Sequence, residues 1–417
     1  MPKRFILVVA TFLLSLLLYV DRVCISTAKE PIMADLGLSD TQFGWILSAF
    51  AFGYALAQMP AGAMADKMGP RLVLTVVVGA WSVFTGLTAV AWNFVSMLAA
   101  RFLFGVGESG AFPGMARAVY SWIPVKERGL VKGINFSASR IGAAVTMPLL
   151  PAMIEALGWK ASFATLMLVG FGWAAVWWFW FSDEPAQHPT ISEQERDYIL
   201  ANRQQAQSAT ATAAETLSSL TILKSGNMWL MMGQYFASNF TFFFCLSWLF
   251  PYVRETYDLG FTEAGFYAMV PLLGGAVGNV FSGWLVDRLY ASGAKMWSRR
   301  LPAMVGFALA SIGLLVSVDQ AEITGAVVWL TIAIFGADMI LSPAWSFCID
   351  IGGAHAGKVS GTMNMAGNLG SAIVAIAFPY LLEWTGGVET FFYVGASLNA
   401  MAMLLWMAAN PKHVISG

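Results

Sequence analysis

A few charged side chains stand inside stretches that are otherwise apolar: Asp21, Arg22, Arg101, Glu108, Arg117, Arg140 and Asp338. A charge in hydrocarbon is costly, turns toward a cavity or a partner, and marks function by default. The chemistry open to these types is narrow. A buried carboxylate with an arginine nearby can be poised to exchange a proton as its surroundings change. A guanidinium stays charged and can grip an anionic group through two parallel hydrogen bonds. Arg101 and Glu108 are seven residues apart, which puts them on one helix face about two turns, or ~10 Å, from each other. They form either part of an anion- and proton-handling site or a buried structural ion pair. Asp21 and Arg22 are adjacent. A substrate carboxylate competing for Arg22 would therefore release Asp21 to take up a proton, and this is the coupling expected from the sequence.

The remaining polar groups at that depth are less constrained. Arg117 is nine residues from Glu108, on the opposite face, and is expected to snorkel toward the surface. Arg140 serves structural pairing or anion contact. Asp338 pairs with an arginine, binds a substrate hydroxyl or carries a second proton, with the hydroxyl ligand favoured. Asn239 and Asn368 line a cavity or bridge helices.

The elements that must hold these groups follow from composition. The chain has 417 residues, 58% of them hydrophobic and only 11% charged, with a mean hydropathy of +0.66. A soluble chain carries about 25% charge, so this composition requires a membrane protein that crosses the bilayer many times. The net charge of −1 gives no reason to expect a nucleic-acid partner. Windows of about 20 apolar residues give twelve expected spans. These lie near 5–28, 41–64, 72–92, 94–120, 129–153, 159–182, 228–252, 262–286, 300–318, 323–347, 357–382 and 388–409. The first resembles a signal peptide after Lys3-Arg4, but it continues through Asp21-Arg22 without a small-residue cleavage site and reads as a retained span.

Basic residues collect in one set of loops and at both ends, including Lys3, Arg4, Lys67, Arg71, Lys126, Arg128, Lys132, Arg196, Arg288, Lys295, Lys358 and Lys412. The opposite loops hold Lys29, Lys160 and Arg254. The positive-inside rule thus places both termini in the cytoplasm. A polar segment separates two sets of six spans. The expected organisation is a first bundle at 1–182, a cytoplasmic linker at 183–222 and a second bundle at 223–417. Ser192-x-x-Glu195 reads as a capping box that starts a short linker helix running through Leu200. Ser208–Ala214 is low in complexity. Cys24, Cys245 and Cys348 fall inside spans, and His188, His355 and His413 fall in linker, loop and tail. Neither set suggests a disulfide framework or a metal site, and no cofactor is expected.

Gly105-x-Gly107-x-x-Gly110 matches a dinucleotide fingerprint, which needs a strand before it and a helix N-terminus at the phosphate. Here apolar helical sequence runs through it, so the glycines are expected to let a neighbouring helix approach. Other glycines reveal a repeat. Gly44, Gly53, Gly62 and Asp66 recur 221 residues later as Gly265, Gly274, Gly283 and Asp287. Gly133, Gly142 and Pro151 recur 228 residues later as Gly361, Gly370 and Pro379. Parallel repeats of six spans characterise transporters whose two bundles rock around a central site.

Gly62-x-x-x-Asp66-Lys67-x-Gly69-x-Arg71 resembles the signature loop of the major facilitator superfamily. Asp66, Lys67 and Arg71, with Asp287 and Arg288 of the second half, are expected to form a cytoplasmic gate loop. Tyr19-Val-Asp21-Arg22, Arg101…Glu108, Asp183-Glu-Pro-x-x-His188-Pro and Asp350-Ile-x₅-Gly357-x₃-Gly361-x₂-Asn364 are similar to the anion:cation symporters within it, and the likeness extends over essentially the whole chain. The resemblance implies an all-α membrane protein of twelve spans in two bundles. It implies Asp21 and Glu108 as proton carriers, and Arg22 and Arg101 as groups linked to those carboxylates and to a substrate anion. Tyr19 and Tyr54 are implied to line the site. Gln234, Ser342, Trp345 and Asn364 correspond to the lining of the second half through gapped matches.

The expected function is proton-coupled symport of a small organic anion, foremost a sugar acid such as an aldonate or hexuronate. It would act as a monomer in a bacterial cytoplasmic membrane. Export of an organic anion or hydrophobic compound is the alternative. A membrane enzyme would need a nucleophile, metal set or cofactor motif, and none is visible. A sensor would need a signalling domain, for which the short tails leave no room.

Overall fold

A computed structural model describes residues 2–124, 127–203, 219–352, 356–411 and 415. Lys126, His355, Lys412, His413 and the low-complexity stretch lie outside these residues, as do the side chains of Asp66, Arg128, Lys132 and Lys358. The chain divides into two compact units, Met1–Ala211 and Thr212–Gly417. The first contains α1 (Lys3–Thr27), α2 (Lys29–Leu36), α3 (Asp40–Met68), α4 (Pro70–Ala89), α5 (Phe94–Glu108), α6 (Ala111–Trp122), α7 (Arg128–Leu157), α8 (Trp159–Trp180) and α9 (Glu193–Asn202). The second contains α10 (Ser219–Lys224), α11 (Gly226–Ser247), α12 (Leu249–Tyr257), α13 (Phe261–Ala291), α14 (Lys295–Val318), α15 (Ile323–Met339), α16 (Leu341–Gly352), α17 (Ala356–Thr385) and α18 (Glu389–Ala408).

Among the described residues nine helices are long and apolar enough to cross a membrane, with α15 and α16 counted together. The pair α11 and α12, bent by 59°, makes a tenth as a broken span. The long helix α3 and the interrupted pair α5–α6 occupy the two other expected positions. The repeat of glycines is also a repeat of packing. In the first unit α1 packs on α7, α3 on α5 and α4 on α8; in the second, α11 packs on α17, α13 on α15 and α14 on α18.

The single helices expected at 94–120 and 323–347 are each interrupted, the first after Glu108 and the second at Ile340. The Ser109 hydroxyl donates to the Val106 carbonyl at 2.8 Å, a local bond that competes with the helical ladder, and Gly110 follows. Each interruption therefore falls beside a buried carboxylate, Glu108 in one bundle and Asp338 in the other.

The glycines of the false dinucleotide motif line helix seams. A Cβ on Gly105 would run into the Phe50 carbonyl oxygen of α3, and one on Gly53 into the Phe102 carbonyl of α5. On Gly107 it would press on Phe84 and Trp81 of α4, and on Gly110 it would lie 2.7 Å from Val77. Gly105→Ala is accordingly expected to destabilise the first bundle by about 1–3 kcal/mol, because a rigid backbone has to move. Gly133→Ala, with no heavy atom near its added methyl, is the control and is expected to melt at or above the wild type. Melting in detergent checks the pair; equal melting of the two variants would refute the tight seam.

Ser192 caps α9 as expected, accepting the Glu195 N–H at 3.3 Å. The Glu195 carboxylate does not close a capping box. It accepts instead from the backbone N–H groups of Lys3 and Arg4, each at 2.9 Å, and so sits at the positive end of α1. Arg4 also meets Glu127, and the Tyr198 hydroxyl donates to Glu127 at 2.9 Å. The linker helix is thereby fastened to its own bundle.

Candidate functional site

In the first bundle α1, α3, α4, α5 and α7 converge on one buried polar cluster. Adjacent residues on a helix point about 100° apart, so Asp21 and Arg22 diverge. Arg22 reaches Glu108 of α5. Its Nε donates to Glu108 Oε1, and Nη2 lies against the same oxygen. The guanidinium rests over the rings of Tyr19, Phe50 and Tyr54, at 5.0, 5.3 and 4.8 Å. The exchange partner expected for Arg22 was Asp21; the carboxylate that holds it is Glu108.

Arg101 is buried, at 1% exposure. Its guanidinium lies 4.3 Å from the Phe104 ring centre and 5.6 Å from that of Phe50. Among the described residues its Nε and Nη1 have no hydrogen-bond partner. It does not close on Glu108, so the simple structural ion pair within α5 is not formed. Asp21 Oδ1 and Glu108 Oε2 are likewise buried without a hydrogen bond among the described residues. The charges that act on Asp21 are those of Glu108 and Arg101, and the Trp81 indole stands beside it. Arg140 of α7 is buried with its guanidinium 5.9 Å from the Tyr19 ring centre. Tyr19, Asp21, Arg22, Tyr54, Arg101, Glu108 and Arg140 are thus gathered in one place. Arg117 stands apart and half-buried, over the Tyr120 ring at 5.3 Å.

Sequence reasoning missed two members of this cluster. Phe50 is the ring shared by two guanidiniums, and Trp81 stands beside Asp21 with its Nε1 buried. Aromatic residues in apolar spans read as packing, and nothing local distinguishes Trp81 from the many tryptophans that do pack.

The second bundle brings a smaller set together. The Trp345 indole donates to the Tyr235 hydroxyl at 3.2 Å, and Asn239 donates to the Tyr235 carbonyl at 2.9 Å. A Cβ on Gly367 of α17 would meet both Tyr235 and Asn239. Asn364 and Asn368 lie on that helix, half-buried. Tyr235 was not foreseen, and its neighbour Gln234 was. Gln234 is turned into the core: its amide donates to the Met231 carbonyl at 3.1 Å and accepts from Trp406 at 3.3 Å. Ser342 faces α13, its Oγ 3.5 Å from where a Cβ on Gly283 would stand.

Asp338 also faces α13. Its Oδ2 lies against Gly275, in the seam of α13 and α15. That placement argues against the hydroxyl ligand favoured from sequence and for a helix-bridging role. Asp338→Asn is therefore expected to lower thermal stability while leaving substrate affinity and charge moved per substrate unchanged. Solid-supported-membrane currents set beside isotope flux check this, and a reduced charge-to-substrate ratio would restore the second proton site.

Of the residues expected in the gate loop, Lys67, Asp287 and Arg288 are exposed. Arg71 is engaged within its own bundle. Its N–H donates to Asp183 at 2.8 Å, its Nε to the Trp178 carbonyl at 2.9 Å, and its guanidinium lies over the Trp178 ring. Asp183 in turn fills the space beside Gly69, whose φ of +78° favours glycine. Asp66, the remaining residue expected in the gate loop, has its side chain outside the described residues.

Comparison with known proteins settles the family. The model of the Major Facilitator Superfamily matches residues 11–375. The chain belongs to that superfamily. Within it, the chain is 33% identical to the "Probable sulfoacetate transporter SauU" of Cupriavidus necator, over 94% of this chain and 90% of the relative. It is 30% identical to the "Probable L-galactonate transporter" of Escherichia coli, over 95% and 87%. The Bacillus subtilis "Hexuronate transporter" is 28% identical, over 94% and 91%. These relatives place it with the anion:cation symporter type of facilitator. Two solved structures share the fold. A bacterial Spinster homologue, inward-facing and unoccupied, has a TM-score of 0.79 at 17% identity and covers 99% of this chain and 98% of its own. The D-xylose–proton symporter has 0.77 at 15%, with 99% of both chains covered. The chain is a multi-pass facilitator, a transporter rather than an enzyme.

Proposed function

We propose that this facilitator is a proton-coupled symporter of a small organic anion, working by alternating access. A sugar acid remains the first candidate substrate. The relatives named for sulfoacetate, galactonate and hexuronate support the anion, and the first of them adds a sulfonate to the candidates. The observation that carries the coupling is the buried Arg22–Glu108 pair beside the unpartnered groups of Arg101 and Asp21. An arriving anionic group competes with Glu108 for Arg22. Glu108, losing its counter-charge in a low-dielectric site, then takes up a proton. Release of the anion on the other side returns Arg22 to Glu108, and the proton leaves. Asp21 is the second proton-handling carboxylate. Tyr19 and Tyr54 position the Arg22 guanidinium. The reading places both termini in the cytoplasm, with the protein a monomer in a bacterial cytoplasmic membrane.

Uptake into proteoliposomes under an imposed pH gradient tests this. Accumulation of a labelled anion in liposomes with an alkaline interior supports symport. Accumulation only with an acidic interior supports export against protons, and anion accumulation indifferent to the gradient rejects proton coupling.

A further inference from the structure

Arg22 and Arg101 stand on different helices, α1 and α5, and both reach one ring of a third, Phe50 of α3. The Arg22 guanidinium lies 5.3 Å and the Arg101 guanidinium 5.6 Å from the centre of that ring. Phe50 is buried, and its place is fixed from two directions. Its backbone is pressed against α5 at Gly105, where a Cβ would run into the Phe50 carbonyl oxygen and stand 2.8 Å from the Tyr54 nitrogen. Its ring packs on those of Tyr54 and Phe104, at 5.9 and 5.5 Å between centres. Each guanidinium also has rings of its own, Tyr19 and Tyr54 for Arg22 and Phe104 for Arg101. Phe50 is the ring that the two share. A cation within about 6 Å of an aromatic ring is attracted by the ring quadrupole. That attraction occupies no N–H donor, whereas a carboxylate in the same place would occupy donors and compete with an incoming anion. In keeping with this, Nε and Nη1 of Arg101 are buried without a hydrogen-bond partner among the described residues. Arg22 is held by Glu108, and a proton on Glu108 removes that counter-charge and leaves the guanidinium to its rings.

We infer that Phe50 is a positioning residue of the anion site: its ring holds the guanidiniums of Arg22 and Arg101 in place, with their N–H groups free, at the stage when Glu108 is protonated and the anion has not yet bound. This rests on the anion-symport reading above. Phe50 acts on the anion through the two arginines. A guanidinium released by its carboxylate would otherwise spread over its rotamers, and ordering it again would weaken binding at the moment of capture. The shared ring keeps both cations ordered beforehand and does so without neutralising either. A leucine at position 50 would still be apolar and exclude water, but it has no quadrupole, so the inference is about electrostatics and is separable from packing.

Graded fluorination of the ring tests it. Phenylalanines carrying one, two and three ring fluorines, placed at position 50 of the full chain, drain the quadrupole in steps while barely changing the shape of the side chain. Sulfoacetate, L-galactonate and glucuronate serve as probes, with binding read by calorimetry and uptake in proteoliposomes. Affinity for a probe that the wild type binds is expected to fall with each fluorine, on the order of 3–30-fold in all, the range that a cation–π contact spans. Uptake should show the loss as a raised KM with the maximal rate kept. The same series at Phe163, a buried ring of α8 that packs edge-on against Trp159, should leave affinity unchanged. Phe50→Leu should lose at least as much affinity as the trifluorinated ring; if it does not fold, the fluorinated series decides alone. Equal affinity across the series at position 50 overturns the positioning role, whatever Phe50→Leu does, and leaves anion symport standing. Failure of all three probes to bind or enter with the wild type removes the anion reading, and this inference with it.

Discussion

Glu108→Gln is expected to abolish proton-driven accumulation, bringing the inside-to-outside ratio of labelled anion to unity, while anion binding survives. The amide keeps the size of the side chain and an oxygen for Arg22, but it cannot carry a proton through the cycle. Arg22 loses a full counter-charge and becomes permanently available to the substrate, so affinity should be retained or improved. Burial of the side chain, at 0% exposure, leaves little room for water to act as a substitute proton carrier. Counterflow, which exchanges anion for anion without net proton movement, should continue. Flux into proteoliposomes with and without a pH gradient separates the two processes. Accumulation against a gradient by the variant would make Glu108 a structural partner of Arg22, and the proton would have to travel through Asp21 alone.

Arg22→Lys is expected to weaken anion binding by roughly 10–100-fold, because an ammonium replaces a planar fork with a single point charge. The structure sharpens the reason. Arg22 approaches Glu108 with two nitrogens while its face rests on Tyr19, Phe50 and Tyr54. Lysine can keep the charge near Glu108 but cannot maintain both the stack and a two-point grip. The bundle should still fold, since Glu108 retains a cation. Calorimetry on the variant checks the affinity, and a melting curve close to that of the wild type confirms that the loss is local. Near-normal affinity would exclude Arg22 as an anion ligand.

The residues of the site were more legible in the sequence than their partnerships. Asp21, Arg22, Arg101, Glu108 and Arg140 stand out because charge in an apolar run is rare, whatever it touches. Asp338 stood out for the same reason and Gln234 through the family resemblance, yet Gln234 bonds to Trp406 inside the core and Asp338 lies in the seam against Gly275. Polar character reports that a group needs a partner and does not say on which side of the helix the partner is. Trp81, Phe50 and Tyr235 carry no such signal and emerged only from their neighbours.

The sequence by itself determined that this chain crosses a membrane many times, that its halves repeat, and that the glycines at Gly105, Gly107 and Gly110 admit a neighbouring helix. Those are properties of composition and of spacing along one helix, where the 3.6-residue turn makes local pattern informative. Only the tertiary structure decided that Arg22 belongs to Glu108 and not to Asp21, that Arg101 stays without a hydrogen-bond partner among the described residues, and that Arg71 is tied to the end of α8. Each of those outcomes depends on which helix lies opposite and how it is rotated. In chain positions Arg22 and Glu108 are 86 residues apart. No local rule reaches that far, and two adjacent side chains on α1 are sent to different partners by the 100° between them.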